Sequence, residues 1–214
     1  MRQYKRNQVE EAISRTLGEK SVLPSQELRT RLKRLLDTDR ALTSNARDTG
    51  LEVTNYAFYS SDSPGKGAEV SFSDYEAFAL QTGLRVLGHG WPQSFAVNAI
   101  RHVRSQLESE HSRILKQDPR KLFNKEAIKR QVRPGDLGIG NTDPVFLTLV
   151  SGQAVFSDGT ADQTSARICR CMERVSKFIQ EKKAHSWTLF ELVNYAHDLE
   201  KELATVRPRS RGRS

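Results

Sequence analysis

Ser94, Asn98, Arg101, His102 and Ser105 recur at spacings of three and four, which gathers them on one face of a helix. Their side chains suit nucleic-acid recognition. Asn matches the donor–acceptor edge of adenine, and Arg matches the two acceptors of guanine. Ser and His can reach base edges or phosphates. No acidic residue lies between Trp91 and Gln106, so phosphate repulsion there is small. Glu108 and Glu110 follow only where a recognition helix would be leaving the groove. The opposite face carries Ala96, Ile100, Val103, Leu107 and Ile114, a stripe that would seat the helix on a core. The solvated face of any amphipathic helix has a similar composition, and both readings stay open.

Cations elsewhere point the same way. Arg29, Lys33 and Arg40 fall in one sector of a second amphipathic helix and could line up along phosphates, with Asp37 and Asp39 beside them favouring a merely solvated face. Residues 113–133 carry eight basic side chains against Asp118 and Glu126, a net +6. Within that block Arg120, Lys121, Lys125, Lys129, Arg130 and Arg133 are the candidate phosphate contacts. So dense a charge calls for an anionic partner, nucleic acid before an acidic protein surface. The last eight residues hold four arginines and no acid, and Arg209 and Arg211 suit phosphate tracking. That tail can bury nothing and is expected to be disordered alone; a solubilising end is the plain alternative. These two blocks outweigh the total of +8, because the rest of the chain sums to −2.

Catalytic patterns are weak. Glu108-Ser109-Glu110-His111 holds one Glu-x-x-His, whereas a di-metal site of that type needs a second copy on another helix. His111 is therefore expected at the surface or its boundary. Cys169 and Cys171, the two cysteines, are expected on a helix, about 200° apart, with Cys171 edging the apolar stripe and Cys169 off it. In that placement they neither chelate one metal nor bridge each other. Gly135, Gly138 and Gly140 precede a strand and lack the dinucleotide-binding order, and Pro64-Gly65-Lys66-Gly67 lacks the P-loop spacing. No enzyme, metal or cofactor is expected.

The elements that must position these residues follow from periodicity and capping. Val9, Ala12, Ile13 and Leu17 define a first helix stopped by Gly18. A second runs from Ser25 to about Leu42 on Leu28, Leu32 and Leu35. Tyr56/Phe58 and Val70/Phe72 flank a Ser/Gly-rich loop and suggest a short hairpin. Ser73 and Glu76 form a capping box for a helix to Leu87 with apolar residues on two sides, hence a buried one. Gly88-His89-Gly90-Trp91-Pro92 is a tight turn, and the next helix runs to about Lys116. Helix, turn and helix together outline a helix-turn-helix over 73–116. Asp118-Pro119 opens another helix to Val132, and 134–141 is a turn. Val145–Val150 reads as a strand returning through 151–153 into 154–156. Two C-terminal helices are expected over 162–183 and 187–205. The last has an apolar stripe that suits either a core helix or a dimerising one.

The expected fold is therefore mainly α and bundle-like: roughly seven helices, the helix-turn-helix-like pair and one or two short β-hairpins. The expected division is a helical domain over 1–133, a hairpin with two helices over 134–206, and the tail 207–214. Mean hydropathy is −0.62 and no apolar run reaches the roughly 18 residues of a bilayer span, so no membrane partner is expected. The polar N-terminus has no signal-peptide core, and the expected location is cytoplasmic. The expected function is nucleic-acid binding, on DNA or RNA, foremost as a DNA-binding regulator reading bases with helix 92–106. A non-specific subunit of a larger assembly, joined through the C-terminal helices or as a homodimer, is the second reading. An enzyme without a recognisable motif is the third.

Overall fold

The computed structural model describes residues 2–19, 23–48, 56–60, 70–132, 138–151 and 165–208, with side chains 43–48 left aside. Among these residues it holds eight helices and two small antiparallel sheets, so the fold is mainly α with some strands. The chain divides into two compact units, residues 1–104 with 198–214, and residues 105–197.

The first unit begins with β1 (Tyr4–Lys5) and α1 (Arg6–Thr16), which Gly18 terminates at φ +76. Helix α2 (Gln26–Asp48) opens at Ser25, whose Oγ accepts from the Leu28 amide at 3.2 Å. Strand β2 (Ser71–Phe72) pairs with β1, Tyr4 opposite Phe72. The expected hairpin between Tyr56/Phe58 and Val70/Phe72 is thereby corrected: residues 56–60 form bends, not a strand, and β2 takes its hydrogen bonds from the N-terminus. Phe58 is buried instead, and Tyr59 stacks on Phe72 with ring centroids 6.1 Å apart.

Helix α3 (Asp74–Gly88) forms as its capping box dictates. Ser73 Oγ accepts from the Glu76 amide at 3.2 Å, while Glu76 accepts from the Ser73 amide at 2.7 Å. Its buried run from Tyr75 to Leu84 includes Gly83, a residue that ordinarily weakens a helix interior. A Cβ there would stand 2.9 Å from Phe58 Cζ and 3.6 Å from Leu35 Cδ1, so glycine is what lets this part of α3 approach the core. Helix α4 (Gln93–Leu115) follows the turn and runs across the division between the units, as does the last helix, α8 (Leu192–Thr205).

In the second unit the expected helix 118–132 is split. Helix α5 (Pro119–Leu122) starts at Asp118, and α6 (Lys125–Gln131) restarts at Asn124, whose side chain accepts from the Ala127 amide at 3.0 Å. Asn124 favours capping over continuation, and this local bond interrupts the run. Strand β3 (Phe146–Ser151) confirms the apolar strand, but its partners differ from the expected one. It lies between β4 (Ser165–Cys169) and β5 (Ser186–Glu191), both antiparallel to it. Residues 154–156 lie outside the described residues. Within the expected C-terminal helices, residues 165–169 and 187–191 are thus strand, and helices α7 (Met172–Glu181) and α8 start later; residues 162–164 lie outside the described residues. Helix α7 covers one face of the sheet, where Phe146, Val150, Cys169, Val175 and Phe178 form the core.

Candidate nucleic-acid interface

The turn before α4 is set by its residues. His89 caps α3, its Nδ1 2.9 Å from the Arg85 carbonyl oxygen. Gly90 sits at φ +85, in the left-handed region that favours glycine. Trp91 packs on Phe95 with centroids 4.6 Å apart, and the Ala96 amide donates to the Pro92 carbonyl at 2.9 Å. Gln93 Nε2 donates to the Arg34 carbonyl at 3.2 Å and to Thr38 Oγ1, which ties the start of α4 to α2.

Ala96, Val97, Ile100 and Val103 are buried within the first unit, leaving Ser94, Asn98 and His102 exposed on the other side. Ser105, the first residue of the second unit, is exposed as well. Arg101 differs from them. Its Nε donates to Asp39 Oδ1 at 2.7 Å, and its Nη2 donates to the Asp39 carbonyl oxygen. The Asp39 side chain is fully buried and also accepts from the amides of Ala57 and Phe58, each at 3.0 Å. A carboxylate so enclosed needs its cation, so Arg101 serves the core of the first unit.

The cations of α2 divide similarly. Arg40 Nη2 donates to the Tyr59 hydroxyl at 2.9 Å, and its guanidinium lies 5.3 Å from the centre of that ring. Arg29 Nε stands 3.8 Å from Glu10 Oε2 and is half-buried. Lys33 is exposed.

The second unit presents a run of exposed cations. Lys116, Arg120, Lys121, Lys125, Lys129 and Arg130 are all exposed, from just past the end of α4 through α5 and α6. Helix α6 buries no residue. Leu122 anchors the segment: its side chain is buried and its carbonyl accepts from the Thr142 amide at 3.0 Å. Of the two acids, Asp118 is spent on capping, its Oδ1 accepting from the Arg120 amide at 3.0 Å. Glu126 stands 4.0 Å from Lys129 with both side chains about three-quarters exposed, a pair worth little in water. Lys125 and Lys129, four apart, repel on the same helix face. Arg113 leaves the set, since it donates to Glu110 at 2.8 Å and Asp143 at 2.5 Å. Arg133, Arg209 and Arg211 lie outside the described residues.

Several features carry no local signal in the sequence. Glu110 is a buried hub that accepts from Arg113 and, through both Nε (2.8 Å) and Nη2 (2.6 Å), from Arg170. Burial pushes its carboxyl up, but the hydrogen bonds from Arg170 and Arg113 together outweigh that and hold it below its ordinary value. Asp143 behaves alike: burial raises it, and Arg113 and Gln117 lower it further. His111, expected at the surface or its boundary, is buried instead. Cys169 ends β4 in the core, where burial pushes its thiol up, and Cys171 is the N-cap of α7, half-buried. Their expected helical placement, and the assignment of Cys171 as the packed one, are corrected by strand β4, which ends at Cys169 before α7 begins. Among the described residues no group of three or more His, Cys, Asp or Glu is placed to hold a metal ion, and no helix is long and apolar enough to cross a membrane. Comparison with known proteins finds no matching family model and no matching curated protein.

Proposed function

We propose that this protein binds nucleic acid and that the α5–α6 segment grips the phosphate backbone. One observation carries the reading: six exposed cations stand on a short stretch in which Leu122 alone is buried and two acids neutralise little of the charge. Holding such charge together in water is unfavourable, and a polyanion relieves it while releasing its counterions. Lysine and arginine at this density contact phosphates irrespective of sequence.

A DNA-binding regulator is the more specific form of the proposal, with α3, the glycine turn and α4 acting as a helix-turn-helix. The exposure of Ser94, Asn98 and His102 favours it. The engagement of Arg101 by Asp39 removes the guanine reader from that set, so base readout would rest on Asn98 and His102. Backbone gripping without strong sequence preference needs none of these residues, and it is the reading the geometry supports best.

The test is a salt titration of binding to duplex DNA, single-stranded DNA and RNA. The expected result is affinity that falls linearly with the logarithm of salt concentration, with similar values for unrelated sequences. Absence of binding to all three at low salt overturns the proposal.

A further inference from the structure

Trp187 is the most exposed of the large apolar side chains among the described residues, at 52 %. It lies on β5, an edge strand of its sheet, opposite Val150. Side chains alternate along a strand, so Trp187 shares a face with Leu189, which packs half-buried on the cluster under α7. The indole continues that face one step beyond the packed part.

The turn leading into β5 carries a second anomaly. Helix α7 ends in a Schellman arrangement: the Lys183 amide donates to the Gln180 carbonyl at 3.0 Å and the Ala184 amide to the Ile179 carbonyl at 3.1 Å. The left-handed position of that motif is usually glycine, yet Lys183 occupies it at φ 47. A backbone outlier of this kind is a pointer to function. Lys182 and Lys183 are both exposed, and among the described residues neither pairs with a carboxylate. Trp187 follows Lys183 by four positions, a reach of at most about 14 Å.

Two exposed lysines within five positions of an exposed indole match the chemistry of a nucleotide, an anionic phosphate next to a flat aromatic base. An acidic peptide would engage the lysines and leave the indole face unused. A duplex hides its base faces in the stack, whereas a single strand offers them. We propose that the α7–β5 turn is a single-strand binding site in which an unpaired base stacks on Trp187 and the flanking phosphate meets Lys182 and Lys183. The proposal rests on the nucleic-acid reading above and adds the form of nucleic acid this turn selects.

Tryptophan emission of the full chain tests it, with an oligothymidylate strand and its duplex with oligodeoxyadenylate as probes. The expected result is quenching by the single strand that is absent from the Trp187→Phe protein. Trp187→Ala should weaken single-strand binding about tenfold and leave duplex binding unchanged. Lys182→Gln with Lys183→Gln should weaken it further at low salt than at high salt. Single-strand binding without an emission change, equal losses for strand and duplex, or quenching by polyglutamate in place of the oligonucleotide overturns the site while the broader reading stands. Absence of binding to either nucleic acid overturns both.

Discussion

Arg101 and Asp39 form a buried ion pair across 62 residues of sequence, Nε to Oδ1 at 2.7 Å. The carboxylate also holds the backbone of residues 57 and 58 through two amides, so the pair fixes the segment that brings Phe58 into the core. Replacing Arg101 by methionine keeps the apolar stem and strands the buried carboxylate. The expected cost is about 3 kcal/mol in urea denaturation. A DNA-binding defect in that protein would then report folding, and an unchanged denaturation midpoint would show that the pair contributes nothing.

Glu110 sets a pH dependence for the second unit. Its folded value and that of Asp143 both lie below the ordinary carboxylate value of about 4. The unfolded chain therefore binds protons more readily, and the stability from these groups is fully present only above about pH 5. It is lost as pH falls through the folded values. The Glu110→Gln protein is expected to be roughly 2 kcal/mol less stable at pH 7 and to lose less on acidification than the parent. Parallel loss in both proteins, followed by denaturation between pH 7 and 3, would assign the acid sensitivity elsewhere.

These ion pairs show where the sequence was legible. Helix α3 could be read outright, because its capping box, its buried run and its glycine stop all act within a few residues. The exposed cations of α5–α6 could also be read, since charge at that density has nowhere to go but solvent. Strand β5 was hidden, because Leu189 fits the helical stripe of Leu192, Val193 and Ala196 although Trp187, Thr188 and Phe190 favour a strand. The switch falls at Glu191, whose carboxylate accepts from the Val193 and Asn194 amides at 2.9 Å. Glutamate is an uncommon cap and gives little local warning. The role of Arg101 was hidden for another reason: its partner is close only after folding.

Lys183 gives a prediction on stability as well as on binding. Its left-handed conformation strains a side-chain-bearing residue and suits glycine. Lys183→Gly is expected to raise stability by about 0.5–1 kcal/mol, with the greater flexibility of glycine in the unfolded chain already set against the gain. Differential scanning calorimetry reads it as a higher Tm. A lower Tm would mean that the lysine side chain itself holds the turn.

Phosphate contacts and base contacts separate by their response to salt and to sequence. Substituting Lys125, Lys129 and Arg130 by glutamine should lower the slope of log affinity against log salt on duplex DNA, by about 0.9 for every phosphate that is no longer neutralised and equally for unrelated sequences. Asn98→Ala and His102→Ala leave those cations in place. If α4 reads bases, these two flatten the difference between preferred and unrelated sequences and barely touch the slope, because an uncharged group releases no counterion. If α4 only carries a solvated face, they change neither. Both side chains are exposed, so neither substitution strands a buried partner as Arg101→Met does, and the comparison measures recognition free of the stability loss.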